Sequence, residues 1–92
     1  MIKSFRCAAT QALYEKGQSK RFNSIAKVAT RKLTQLDAAA TLEFLRSPPG
    51  NRLEALAGGR KGQHSIRIND QWRLCFRWTD VGPEDVEIVD YH

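Results

Sequence analysis

Apolar and polar positions change period once along this chain. Ile25, Val28, Ala29, Leu33, Leu36 and Ala40 recur at helical spacing and define one apolar helix face. Lys27, Arg31 and Lys32 fall largely off it. Earlier, Ala8 to Lys16 is rich in helix formers and closes on Gly17, a helix stop. Gln18-Ser19-Lys20-Arg21 reads as a loop, and Asn23 or Ser24 stands where the second helix needs an N-cap. Leu42, Leu45 and Phe44 make a second short stripe, which Asp37 precedes as either a helix end or a cap. Ser47-Pro48-Pro49-Gly50-Asn51 ends the helical half, because tandem prolines cannot continue a helix.

The second half has a period of two. Arg52 to Leu56 is a short strand candidate, followed by the basic loop Gly58-Gly59-Arg60-Lys61-Gly62. His64, Ile66 and Ile68 alternate with Ser65, Arg67 and Asn69, and Asn69-Asp70 supplies turn chemistry for a hairpin. Trp72, Leu74, Phe76 and Trp78 then alternate with Arg73, Cys75 and Arg77, the clearest strand in the chain. Gly82-Pro83 is expected to break it, with a last strand from Val86 to Tyr91. Ile2, Ser4 and Phe5 suggest a brief lead-in strand.

Helices followed by hairpin-connected strands predict an α+β fold, with two to three N-terminal helices packed on an antiparallel sheet. The tryptophan stripe should face the helices, with Ile66 and Ile68 beside it. Arg67, Arg73 and Arg77 should then share the opposite, solvated face. Arginine suits phosphate because its planar fork donates two parallel hydrogen bonds.

Size and charge sharpen this picture. The 92 residues are expected to form one domain, 1–92, with a modest core. No apolar run is long enough for a membrane span, and the first residues lack a signal-peptide pattern. A cytoplasmic protein with Cys7 and Cys75 as free, packed thiols is the expectation. Two Cys and two His cannot build a tetrahedral zinc spacing, so no metal or other cofactor is expected. The net charge is +5, with eight Lys/Arg against Glu15 in residues 1–32 and five acids without Lys or Arg in residues 78–92. A basic body suggests a polyanionic or acidic partner. Lys20, Arg21, Lys27, Arg31 and Lys32 read equally as a solvated helix face and as an RNA footprint.

Candidate chemistry is concentrated at the chain end. Asp90-Tyr91-His92 brings a carboxylate, a phenol and an imidazole together, and imidazole can exchange a proton near neutral pH. The final strand could carry these groups next to Arg73. The glycine-rich loop is not a P-loop, since the GxxxxGK[ST] spacing is absent. His64 alternates with Ile66 and Ile68 and should point inward as a hydrogen-bonded, partly buried histidine. No GxSxG elbow is present, which disfavours covalent catalysis.

Four segments carry a resemblance: Met1 to Phe5, Leu45 to Glu54, Gly62 to Phe76, and the ending Val89-Asp90-Tyr91-His92. Together they resemble the HigB-type toxins of the RelE/ParE superfamily, and most closely the branch that includes the GraT toxin. The resemblance spans essentially the whole chain. It implies a metal-independent endoribonuclease that cuts mRNA on the translating ribosome. The 2′-hydroxyl would attack the adjacent phosphate, leaving a 2′,3′-cyclic phosphate and a 5′-hydroxyl. It also implies a HigA-type helix-turn-helix antitoxin, which neutralises the toxin in a hetero-oligomer and takes the complex to operator DNA.

By motif position, the resemblance makes Arg73, Asp90, Tyr91 and His92 catalytic. Arg60, Lys61, Arg67 and Arg77 become RNA-binding cations. The chain departs from better-known members at Glu54 and Ala57, which stand where those carry a histidine and a lysine. Lys61 or His64 could compensate. Two other readings are a gyrase-directed toxin and a non-cleaving module that binds ribosomes or RNA. Neither needs an acid/base pair.

Overall fold

The computed structural model describes residues 1–90. Helices α1 (Ala8–Lys16) and α2 (Ala26–Ala38) cover one face of a four-stranded sheet. The strands β1 (Glu54–Ala55), β2 (His64–Arg67), β3 (Trp72–Thr79) and β4 (Gly82–Asp90) lie in chain order, each antiparallel to its neighbour. The predicted α+β arrangement is therefore present, with two α-helices. The Leu42–Arg46 stripe is a five-residue 3₁₀ turn rather than a third α-helix.

Two features of α2 differ from expectation. Neither Asn23 nor Ser24 caps it with a side chain; both belong to a 3₁₀ turn, Asn23–Ile25, that leads into it. The turn closes with the Ile25 amide donating to the Phe22 carbonyl. The core-facing residue at the far end is Ala39, while Ala40 is exposed.

The core lies between α2 and the sheet. Ala29, Leu33 and Leu36 meet Ile66, Leu74, Phe76, Val86 and Ile88, all buried. Phe22 is fully buried and packs edge-on against Trp72, with ring centroids 5.5 Å apart. Trp72 and Trp78 line the core only partly buried. Thr10 of α1 is tied to β4, because its hydroxyl accepts the Ile88 amide at 3.1 Å.

The strand at Arg52 to Leu56 shortens to Glu54–Ala55, and the last strand lengthens. Gly82 and Pro83 do not break the chain's course; they begin β4 opposite Thr79 and Trp78. Proline is tolerated there because β4 ends the sheet order and the ladder loses little from a missing amide. The N-terminal segment then runs parallel to β4, with Lys3 N–H donating to Pro83 and Arg6 N–H to Val86.

Gly82 sits at φ +133°, where a Cβ would also run into the Met1 carbonyl oxygen. Gly82→Ala is therefore expected to cost about 1–3 kcal/mol. The urea midpoint should fall with an unchanged m-value; an unchanged midpoint would remove the N-terminal segment from the packing.

Between Cys75 and Arg77 the register slips. Arg77 pairs with Glu84 but Cys75 with Glu87, so β4 carries one extra residue at Asp85, whose φ is +53°. This bulge re-aims the strand. Without it, Val86 and Ile88 would fall on the arginine face. With it, both enter the core.

Candidate active site

Cross-strand partners share a face of a sheet. Arg67 pairs with Arg73, Arg73 with Val89, Ser65 with Cys75 and with Glu54, and Cys75 with Glu87. Together with Arg77 these residues form the face away from the helices, as the alternation predicts.

That face is not the solvated cationic surface the sequence suggests. Arg73 is only 8% exposed. Its Nε donates to Ser65 Oγ at 2.8 Å, and its Nη2 donates to the Arg52 carbonyl at 2.8 Å. Nη2 also lies 2.9 Å from Glu54 Oε1. The other arginines have carboxylate partners too. Arg60 pairs with Glu87 at 2.7 Å, Arg67 with Asp70, and Arg77 with Asp85 at 3.9 Å. A basic sheet face is thus largely balanced by acids from β1, β4 and the turns. The physical reason is burial: an unpaired guanidinium at Arg73 would carry a desolvation penalty of several kcal/mol.

Arg73 reaches an open cleft of about 230 Å³, lined also by Arg52, Arg67, Asn69 and Asp70. Each wall has a local cause. Asn69 Oδ1 accepts the amides of Gln71 and Trp72 at 2.8 Å, which closes the β2–β3 turn and holds Arg67 beside Asp70. The opposite wall is Arg52, which follows the Pro49–Asn51 3₁₀ turn and a cis Ser47–Pro48 bond. Arg52 ends this turn in the left-handed region at φ +47°.

Asn51 anchors that wall. It is fully buried, its Nδ2 donates to the Leu45 carbonyl and Gln35 Oε1, and its Oδ1 accepts from Lys32 Nζ. Burial, Arg31 and Arg67 together lower the Lys32 pKa.

The structure brings Arg73 and Arg67 together in the cleft. Arg60 sits one step along the same face, through Glu87 beside Cys75. Arg77 lies farther along, its guanidinium over Gly62, where the missing Cβ leaves room for it. Lys61 is exposed in the loop. Asp90 is not beside Arg73. It pairs with Trp72, one position out of step, and its carboxylate accepts from Gln71 Nε2 at 3.1 Å. Tyr91 and His92 lie outside the described residues.

His64 does not serve the cleft. It pairs with Phe76 on the helix-facing side and stacks on that ring, and its buried Nδ1 has no hydrogen-bond partner among the described residues, where a satisfied histidine was expected. Cys75 is a buried free thiol whose pKa burial pushes up, so it is packing rather than a nucleophile. Arg52, which lines the cleft, and Asn51, buried behind it, are the residues that sequence reasoning missed. The Pro-Pro-Gly-Asn-Arg run was the available signal, since so tight a turn must aim its flanking residues sharply.

Comparisons with known proteins agree with this architecture. The family model of HigB, a RelE-like toxin of type II toxin–antitoxin systems, matches residues 3–92. Toxin HigB-1 of Vibrio cholerae serotype O1 is 44% identical over 82 residues, covering 87% of this chain and 86% of the relative. Endoribonuclease HigB of Proteus vulgaris is 29% identical over 94 residues, covering both chains fully. The crystal structure of a point mutant of E. coli YafQ has the same fold, with a TM-score of 0.66 at 16% identity over 98% of this chain and 91% of that one. The chain belongs to the HigB-like family, the RelE-like toxins of type II toxin–antitoxin systems.

Proposed function

We propose that residues 1–92 act as a single toxin domain that cleaves mRNA on the translating ribosome without a metal, in the cytoplasm. A HigA-type helix-turn-helix antitoxin restrains it and carries the complex to operator DNA. The observation that carries this reading is the cleft, where Arg52, Arg67 and Arg73 converge. In such a cleavage the 2′-oxygen bonds to phosphorus and the 5′-oxygen leaves, so negative charge builds on the phosphorane. Positioned guanidinium groups stabilise that charge. Two relatives support the assignment: one is named a toxin, the other an endoribonuclease. The Gly62–Phe76 segment and the Asp90-Tyr91-His92 ending support the GraT-like branch.

In this reading Arg73 is the principal phosphate cation, and Arg67, Arg60, Lys61 and Arg77 guide the RNA along the sheet face. His92 is the acid that protonates the leaving oxygen, with Tyr91 beside it. Asp90, held by Gln71, orients the chain end rather than touching the phosphate.

The test is induction of wild type and His92→Ala in a host lacking the antitoxin, with 5′-hydroxyl RNA ends mapped across the transcriptome. Frame-dependent cuts inside coding regions are expected in wild type and should be lost in the variant. Growth arrest without new ends would overturn the nuclease reading in favour of a gyrase-directed or non-cleaving toxin.

A further inference from the structure

Each arginine of the sheet face has an acid beside it, and the acids differ in what they do for the fold. Glu54 answers the buried Arg73, and Glu87 is itself only 16% exposed against Arg60. Asp70 has no such role. Its side chain is 99% exposed, and so exposed an ion pair adds little to stability. Yet among the described residues it is the one carboxylate that lines the cleft, together with Arg52, Arg67 and Arg73. A carboxylate in a phosphate site opposes the ligand, since like charges repel.

The hairpin turn holds Asp70 there. Asn69 Oδ1 accepts the Gln71 and Trp72 amides, while the Ile68 and Asn69 amides donate to the Trp72 carbonyl at 3.0 and 3.2 Å. The backbone on both sides of Asp70 is thereby fixed, and its carboxylate pairs with Arg67, three positions earlier. The Arg67 side chain is 33% exposed, so RNA arriving from solvent can reach the same guanidinium. At Arg73 a phosphate meets a cation whose acid, Glu54, does not line the cleft. At Arg67 it meets a cation that an anion already occupies.

We propose that Asp70 is a competing anion that selects which RNA the cleft accepts: its carboxylate occupies Arg67 in the free protein and must yield it to an RNA phosphate. The exchange swaps one ion pair for another, with no covalent step. RNA that nothing else holds in place pays this competition in full. RNA already presented by a larger assembly arrives at high effective concentration and overcomes it. The inference rests on the nuclease reading above and adds to it a residue that sets affinity.

The test is binding of a short single-stranded 2′-O-methyl RNA, followed by fluorescence anisotropy across a range of salt concentrations. Wild type, Asp70→Asn, Arg67→Gln and the double variant are compared. Asp70→Asn is expected to bind about tenfold tighter at low salt, with the gain shrinking as salt rises. Its salt dependence should steepen by about 0.7 in log Kd against log salt, the increment for one further phosphate contact on a single strand. In the Arg67→Gln background the change at position 70 should alter affinity by no more than about twofold, because the two residues act as a pair. Asn69 holds the turn and Asp70 is exposed, so the variants should fold; circular dichroism checks this.

Unchanged affinity in Asp70→Asn would overturn the proposal and leave the pair a surface contact. A tenfold gain that persists without Arg67 would also overturn it, making Asp70 a source of general repulsion. Absence of binding by all four proteins would overturn it together with the role of the cleft in holding RNA. The probe has no 2′-hydroxyl and cannot be cut, so failure of the nuclease reading shows in the mapping of RNA ends and not here.

Discussion

Arg73→Ala is expected to lower mRNA cleavage about a thousandfold, the scale on which removal of one positioned donor to a developing anion acts. It should also destabilise the protein, because Arg73 is built into the sheet as well as into the cleft. Its loss strands the buried Ser65 hydroxyl and removes a partner from the Arg52 carbonyl and the half-exposed Glu54 carboxylate. A buried partner left unsatisfied costs about 1–3 kcal/mol. In a domain of this size that corresponds to a fall in Tm of roughly 4–8 °C per kcal/mol.

Rates must therefore be normalised to folded protein, and Arg73→Lys separates the two effects. Lysine keeps the charge but is a point donor on a flexible stem, unable to reach Ser65, Arg52 and a phosphate together. It is expected to recover part of the Tm and little of the rate. Cleavage by Arg73→Lys at the wild-type rate would mean that charge alone suffices and that the fork geometry has no role.

The same residue shows how much of the site is legible in the sequence. Its face is, since Trp72, Leu74, Phe76 and Trp78 alternate with Arg73 and Arg77, and a strand has a period of two. Its burial is not. The partners Glu54 and Ser65 come from other strands, and pairing between strands depends on turn geometry that composition does not encode. The same holds for Arg60 and Glu87, 27 positions apart. Net charge therefore overstates the free cationic surface.

Asp90 marks a different kind of miss. Val86, Ile88 and Asp90 are spaced by two, so once Val86 and Ile88 enter the core, Asp90 follows their side and not that of Arg73. That signal is present in the sequence. What hides it is the bulge at Asp85, which sets β4 against β3 one residue away from simple hairpin counting. The first helix is legible because Gly17 adopts the left-handed conformation a helix stop requires, at φ +75°. The 3₁₀ turns are not, because three to five residues give too little periodicity to detect.

Asn51→Ala is expected to damage fold and activity together, through the wall that carries Arg52. Alanine removes the donor to the Leu45 carbonyl and to Gln35 Oε1 at a fully buried position, and removes the acceptor for Lys32. The expected cost is about 2–3 kcal/mol, seen as a Tm lower by roughly 8–24 °C. Lys32 carries part of this, because its Nζ is the donor to the buried Asn51 Oδ1, so Lys32→Met should also lower stability, by about 1 kcal/mol. The functional consequence runs through the backbone. Arg52 holds a left-handed conformation that only the surrounding turn enforces, and its carbonyl is one of the groups that fix Arg73. With the turn loosened, Arg73 keeps its charge but loses part of its aim. Cleavage per folded molecule should fall about tenfold, a small displacement at a reacting centre being enough for that. Asn51→Ala with normal cleavage per folded molecule would show that the turn supports the fold without setting the geometry of the cleft.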